Sequence, residues 1–294
     1  MRQLVHFRSL PVSSLLGMPL GPRSDTQGAG FAIPIEAREP LGHFLCALGD
    51  DAFLLGHRSA EWTGLGPILE EDIAFSSMAQ DEMGHALVWY GLLGDLGWAD
   101  PDTIVYGRHE TRDWRNARLY ELPRGDYAYS LMRQYLADLG QAIRYDALIR
   151  STETRVSAAA TKLRQEEKYH LVHGRTLIER LAKATPESRA RLQKALDELF
   201  PYALGIWEAT AGEASLVALG LTAPSTDLEA AWTTAACAFL AEVGLAPPAD
   251  LVGGVWQTTV QPQLGGRQGQ HGEDLRSILD AMQMLRRADP EAIW

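Results

Sequence analysis

The fold is decided by a short run in the first third of the chain, Gln80-Asp81-Glu82-Met83-Gly84-His85, and by a second run that repeats its pattern, Gln165-Glu166-Glu167-Lys168-Tyr169-His170. Each run contains Glu-x-x-His within a stretch of helical periodicity. Positions i and i+3 lie on one face of an α-helix, so each motif presents a carboxylate and an imidazole to the same point. Two such helices that face each other supply most of the ligands of a dinuclear metal site in a helical bundle.

Helical periodicity also dominates the sequence around these motifs. We predict long helices over about 41–61, 68–96, 126–149 and 156–183, a fifth over 186–200, and further helical pieces over 202–219, 226–243 and 273–287. Strand signals are nearly absent, and residues 102–123 read as a charged, irregular connection. Long antiparallel helices in this number form a bundle. The predicted fold class is therefore all-α, a four-helix bundle with extra C-terminal helices.

The domain organisation follows from the breaker residues near the start of the chain. Proline and glycine are scattered through residues 1–40, which predicts an irregular N-terminal arm. Residues 41–294 then form one helical domain, and a chain of this length can bury a sizeable core.

A fifth ligand candidate lies in the third long helix. Asp138 stands in an otherwise apolar run, 29 residues before Glu167. A buried carboxylate needs a polar partner or a metal ion. The candidate metal ligands are therefore Glu82, His85, Asp138, Glu167 and His170.

The first helix offers no obvious sixth ligand. The same offset of 29 residues before Glu82 falls on Phe53. The nearest carboxylate is Asp51, but one residue turns a helix by about 100°. Asp51 would reach the site only through a π-bulge, a feature that is frequent at functional sites. Glu61, near the end of the helix, is the other candidate.

Composition excludes several classes of function. The net charge of −11 disfavours binding to a nucleic-acid backbone. No run of eighteen apolar residues predicts a membrane span, and no signal peptide is evident, so we expect a cytoplasmic protein. Cys46 and Cys237 lie in apolar runs and are expected to be buried thiols rather than a disulfide. A nucleophile elbow and a phosphate-binding loop are both missing from the sequence.

Stretches outside the motifs resemble a known family, the C subunits of 1,2-phenylacetyl-CoA epoxidase. The resemblance covers roughly residues 41–294 and is carried by Leu48-Gly49-Asp50-Asp51-Ala52, Gly56-His57-Arg58-Ser59-Ala60-Glu61-Trp62, Leu69-Glu70-Glu71-Asp72-Ile73-Ala74, Gly265-Gly266-Arg267-Gln268-Gly269-Gln270-His271-Gly272-Glu273, Ala281-Met282-Gln283-Met284-Leu285-Arg286-Arg287 and the terminal Trp294. It implies a ferritin-like fold in a complex that epoxidises the ring of phenylacetyl-CoA with molecular oxygen during aerobic phenylacetate breakdown. It also implies a structural role, in which the chain packs against a different, catalytic polypeptide that holds the working di-iron centre.

One departure from the C subunits concerns the metal ligands, which those subunits have generally lost. Here the five candidates match ligand positions of the catalytic polypeptide, whereas its first-helix glutamate falls on Ala52 when the two sequences are aligned through Trp62. The resemblance thus implies five of six ligands and a partial or vestigial iron site.

Three interpretations of function remain open. The first is an accessory subunit that binds the catalytic di-iron subunit, with self-association as a further option and no nucleic-acid or membrane partner. The second is a di-iron oxygenase that itself acts on an aromatic or acyl-CoA substrate. The third is iron storage or a pure interaction scaffold. The Gly- and Gln-rich stretch 252–272 disfavours storage, because the short chains that build iron-storage shells do not resemble a chain with such a stretch.

Overall fold

The computed structural model describes residues 30–289, and the remaining residues at either end lie outside it. Within this range the elements are α1 (Ile35–Ala60), α2 (Leu69–Asp95), α3 (Pro101–Tyr106), α4 (Tyr127–Leu148), α5 (Thr154–Ala184), α6 (Pro186–Leu204), α7 (Glu213–Ala218), α8 (Ser225–Glu242), β1 (Ala249–Val252), β2 (Val255–Thr258), α9 (Glu273–Met282) and α10 (Met284–Ala288). Short 3-10 turns occupy Thr111–Asp113, Arg118–Tyr120, Gly205–Trp207 and Gly266–Gln268.

Four long helices form the bundle. Helix α1 packs along α2, α4 packs along α5, and α2 and α5 meet across the bundle. Helices α6 and α8 cover the outer side of α4, so α4 is buried over most of its length. The prediction of an all-α bundle with extra C-terminal helices is confirmed.

Helix α1 is buried through its middle and C-terminal parts. Apart from His43, every residue from Leu41 to Gly56 is buried. A helix that is buried on all sides is typical of a core position, and the two aspartates of α1, Asp50 and Asp51, are paired with arginines. Helix α2 packs along one side of α1. The connection before α4 and the loop before α9 contact other sides, where arginines of these segments pair with aspartates of α1.

The start of α1 differs from the prediction. The helix begins at Ile35 rather than 41, inside the segment predicted to be an irregular arm. Pro40 lacks the N–H that an interior helical residue donates, which disfavours a helix on sequence grounds. The extra turn forms nonetheless, because Ala37 and Leu41 lie one turn apart and are both buried. The rest of that arm, residues 1–29, lies outside the described residues.

Two other predicted irregular segments contain regular structure. In the connection after α2, Pro101 starts a short helix and the Asp100 carboxylate accepts a hydrogen bond from the Thr103 N–H, which caps it. In the Gly- and Gln-rich loop, β1 and β2 pair antiparallel from Ala249↔Thr258 to Val252↔Val255. The turn between these strands is Gly253-Gly254, and both residues have positive φ, as a two-residue hairpin turn requires.

The described residues contain no helix that is both long and apolar enough to span a bilayer. Cys46 and Cys237 are both buried and unpaired, as predicted.

Candidate metal centre

Core packing directs the two Glu-x-x-His motifs into the bundle. The buried residues of α5 form one stripe at spacings of three and four, Val156, Ala160, Leu163, Glu167, His170, Gly174, Ile178 and Ala182. Two polar residues therefore occupy positions on an otherwise apolar face. Helix α2 does the same with Glu82 and His85, between Ala79 and Ala86. The apolar neighbours fix which way these side chains point.

The structure brings the five predicted residues together. One group is formed by Glu82, Asp138 and His170, and the other by Glu82, His85 and Glu167. Within each group the potential ligand atoms all lie within 4.8 Å of one another, and every residue is buried. The two groups share Glu82, so they form a single centre with two adjacent positions.

Glu82 and Glu167 lie between the two imidazoles. Glu82 Oε2 is 3.8 Å from His85 Nδ1, and Glu82 Oε1 is 3.9 Å from His170 Nδ1. Glu167 Oε1 is 3.5 Å from His85 Nδ1 and 3.9 Å from His170 Nδ1. These separations exceed normal hydrogen-bond lengths. The atoms face one another across a gap that a cation could fill.

The opposite side of each imidazole is held by a carboxylate from the other helix. His85 Nε2 lies 2.7 Å from Glu166 Oε2, and His170 Nε2 lies 3.1 Å from Asp81 Oδ2. An Nε2–H that donates to a carboxylate leaves Nδ1 as a free acceptor facing the centre. Metal-bound histidines usually have such a partner. Sequence reasoning missed Asp81 and Glu166, although each directly precedes the glutamate of its motif.

Two buried glutamines of α4 hold the carboxylates. Gln134 Nε2 donates to Asp138 Oδ1 at 2.7 Å, and Gln141 Nε2 donates to Glu82 Oε2 at 3.1 Å. Gln141 Oε1 in turn accepts from the Tyr145 hydroxyl at 3.3 Å. Their positions, four residues before and three residues after Asp138, place both glutamines on its face of the helix. That spacing was a signal which sequence reasoning did not use.

The remaining ligand atoms are unpartnered. The buried atoms without a hydrogen bond include Glu82 Oε1, His85 Nδ1, Asp138 Oδ2, both Glu167 carboxylate oxygens and His170 Nδ1. Each unsatisfied buried polar group costs about 1–3 kcal/mol. Six such atoms on five converging side chains are the arrangement expected around a bound cation. The residues present therefore fit a divalent metal ion.

Burial also shifts the ionisation of these groups. Desolvation, together with the neighbouring Asp138 carboxylate, raises the pKa of Glu82 well above its usual range. Desolvation and Glu82 do the same to the pKa of Glu167. Burial raises the pKa of Asp138 to about 7, and burial lowers the pKa of His85. Burial thus favours the protonated form of these carboxyl groups, and a bound cation favours their ionised form.

The first helix contributes no ligand. Asp50 is bound by Arg108, with Oδ1 2.6 Å from the guanidinium, and Asp51 by Arg267, with Oδ2 2.6 Å away. Helix α1 is α-helical throughout, so the π-bulge that Asp51 would need does not form. Glu61 lies past the end of α1 and pairs with Arg58 at 2.6 Å.

The face that α1 turns toward the centre carries small residues, and its buried hydroxyl, Ser59 Oγ, donates to Gln134 Oε1 at 2.8 Å. A Cβ atom added to Gly56 would lie 3.1 Å from Glu82 Cβ, so Gly56 packs directly on the α2 ligand. Ala52, where the resemblance puts a glutamate of the catalytic polypeptide, is one turn earlier and buried. Its methyl group offers no ligand atom.

Comparison with known proteins agrees with this architecture. The family model described as "Phenylacetic acid catabolic protein", covering the PaaA and PaaC proteins, matches residues 29–294. The C subunit of 1,2-phenylacetyl-CoA epoxidase from Escherichia coli (strain K12) is 31% identical over 255 residues, which cover 86% of this chain and 99% of the relative. The ferritin-like, all-α fold of that family is the fold seen here.

Proposed function

Since the chain belongs to the phenylacetic acid catabolic protein family, we propose that it is the C-type accessory subunit of a multicomponent phenylacetyl-CoA epoxidase, which works in aerobic phenylacetate breakdown. The observation that carries the proposal is 31% identity along 99% of the E. coli relative. In this role the chain packs on the catalytic di-iron subunit. A cytoplasmic location belongs to the same proposal.

We further propose that this protein binds metal, with iron as the expected ion. Glu82, His85, Asp138, Glu167 and His170 would hold it, and the six unpartnered atoms on these side chains support this. When bound, iron supplies a redox centre that reacts with oxygen. Asp81 and Glu166 orient the imidazoles, and the apolar stripes of α2 and α5 keep water away from the centre.

A second candidate function follows from the same ligand set. A chain that retains five converging ligand residues could itself act as an oxygenase on an aromatic or acyl-CoA substrate. The first-helix position counts against this alternative, because Ala52 offers no carboxylate.

Two assays separate these functions. The full chain is mixed with the catalytic subunit of a phenylacetyl-CoA epoxidase, and sedimentation is measured. We expect one heteromeric species, and two independently sedimenting species would contradict the accessory role.

In the second assay the iron-loaded chain alone is given phenylacetyl-CoA, reductant and oxygen. No epoxide is expected from it, whereas addition of the catalytic subunit should restore turnover. Epoxide formed by the chain alone, and lost in the His85→Ala variant, would overturn the accessory role in favour of the second candidate.

A further inference from the structure

We propose that the centre has two unequal metal positions: a first divalent ion binds beside Asp138 and His170, and the position beside His85 takes a second ion only weakly. This inference rests on the metal binding proposed above. It assigns a preferred position within the site and a role to Gln141.

Two carboxylates are shared between the positions. The oxygens of Glu82 approach both imidazoles, at 3.8 and 3.9 Å, and Glu167 Oε1 approaches both at 3.5 and 3.9 Å. Each position therefore has one imidazole of its own and access to the same two carboxylates. The difference between the positions must come from their remaining ligands.

Among residues 30–289, a third carboxylate faces the centre on one side only. Asp138 groups with Glu82 and His170 within 4.8 Å. Its Oδ1 atom is held by Gln134, while Oδ2 is buried and unpartnered, which leaves one oxygen free for a cation. The position beside His170 thus has an unshared carboxylate as well as an unshared imidazole.

The position beside His85 has no counterpart to Asp138 in the part of the chain that the structure describes. Helix α1, which would supply it, presents Ala52 and Gly56, and its two neighbouring aspartates are bound to arginines. The polar group found there instead is the Gln141 amide, whose Nε2 donates to Glu82 Oε2, the oxygen nearer His85. An N–H donor directed at a ligand oxygen competes with a cation for that oxygen. Gln141 therefore weakens this position.

The number of charged ligands at each position predicts the same order in which the two metal positions are occupied. The affinity of oxygen-ligand sites for divalent ions depends strongly on the number of charged ligands. The first ion gains the unshared carboxylate of Asp138 together with Glu82, and Glu167 Oε1 lies 3.9 Å from His170 Nδ1, whereas a second ion adds only the shared carboxylates of Glu82 and Glu167. We expect the second dissociation constant to be at least about tenfold larger than the first.

Manganese(II) is a suitable probe, because carboxylate-rich sites accept it and it stays divalent in air. The full chain, stripped of metal, is titrated with Mn²⁺, and bound metal is measured by equilibrium dialysis and electron paramagnetic resonance. An isolated bound Mn²⁺ and a pair that shares carboxylates give different spectra. We expect the isolated signal up to one equivalent and the spin-coupled signal only with excess metal. A coupled signal from the first additions would overturn the proposal.

Two isosteric variants provide a matched test. Gln141→Glu places a carboxylate on the His85 side, and Gln134→Glu makes the same change beside Asp138, on the side that already has one. We expect Gln141→Glu to tighten the second Mn²⁺ at least about tenfold and to bring on the coupled signal near two equivalents. Gln134→Glu should not tighten the second ion. Equal effects of the two variants would contradict the assignment of the weak position.

Removal of the Asp138 charge should weaken binding of the first ion. Asp138→Asn keeps the shape of the side chain but removes its charge, so the first Mn²⁺ should bind at least about tenfold more weakly. Circular dichroism verifies that the variant folds. If Asp138→Asn leaves the first affinity unchanged, the position beside His170 is not the preferred one.

Failure of this proposal differs from failure of the function on which it rests. Two ions of equal affinity would refute the inequality and leave metal binding intact. Folded chain that binds no Mn²⁺ would overturn metal binding and this inference together. Assembly with the catalytic subunit is measured separately by sedimentation, and neither result affects it.

Discussion

Replacement of Arg267 by methionine tests how the loop before α9 stabilises α1. The Arg267 guanidinium is 2.6 Å and 2.8 Å from the two carboxylate oxygens of Asp51, and it also donates to the carbonyls of Arg115 and Ile206. Asp51 and Arg267 are each only 5% exposed. Methionine has a similar length but no charge, so Asp51 would be left with the backbone N–H of Ala117 as its remaining donor.

The expected loss of stability follows from that burial. Removal of one partner of a buried ion pair costs about 3–5 kcal/mol, because the other charge stays buried without compensation. For a chain of this size a loss of 1 kcal/mol lowers the melting temperature by roughly 2–4 °C. Arg267→Met should therefore melt about 6–20 °C below the wild type. Unfolding in urea, followed by circular dichroism, measures the free energy directly.

Two further variants test the contribution of this ion pair. Arg276→Met removes a partly exposed partner of Glu110, 3.2 Å away, and should cost less than about 1 kcal/mol. Asp51→Leu combined with Arg267→Met removes both buried charges and should recover part of the loss. If Arg267→Met is no more costly than Arg276→Met, or the double variant is worse than the single one, the account of this ion pair is wrong.

Three other predictions concern packing and the centre. Gly49→Ala would place a methyl group against a buried tyrosine ring of α2 and should cost about 1–3 kcal/mol of stability. Gly91→Ala in α2 would meet no atom within 4 Å and should stabilise the fold by up to about 1 kcal/mol. Unfolding in urea measures both changes. Burial raises the pKa of Asp138 from 3.8 to about 7, so between these pH values the metal-free folded chain keeps a proton that the unfolded chain loses. The free energy of unfolding of the metal-free chain should therefore fall by a few kcal/mol between about pH 4 and pH 7. A free energy of unfolding that does not change over this pH range would refute the prediction. Glu166→Gln should weaken Mn²⁺ binding by about 10–100-fold, while Glu179→Gln, on the exposed face of α5, should leave it unchanged in the same dialysis assay.

Long helices and the spacing of the two motifs were predictable from sequence. The stripe of buried residues on α5 follows from periodicity, and Glu167 and His170 lie on it. The position of Asp138 could be predicted because a carboxylate in an apolar helix needs a reason to be there. These predictions depend on local patterns of apolar and polar residues, which can be recognised in a single sequence.

Tertiary packing explains what the sequence did not reveal. Helix α1 extends past Pro40 because burial of Ala37 outweighs one missing hydrogen bond, and no local pattern reports that burial. Asp51 is no ligand of the centre because its carboxylate binds Arg267, which lies 216 residues later in the chain. The hairpin of β1 and β2 is short and mostly exposed, so it lacks the apolar alternation by which strands are recognised.

The central claim is that a protein of this accessory type retains a metal-binding centre. Anomalous X-ray diffraction at the manganese edge, from crystals grown with Mn²⁺, tests it most directly. We predict a peak within coordination distance of Asp138, Glu82 and His170, and a weaker second peak beside His85. No anomalous peak at saturating Mn²⁺, with the five side chains hydrogen-bonded to one another or to water, would contradict the claim.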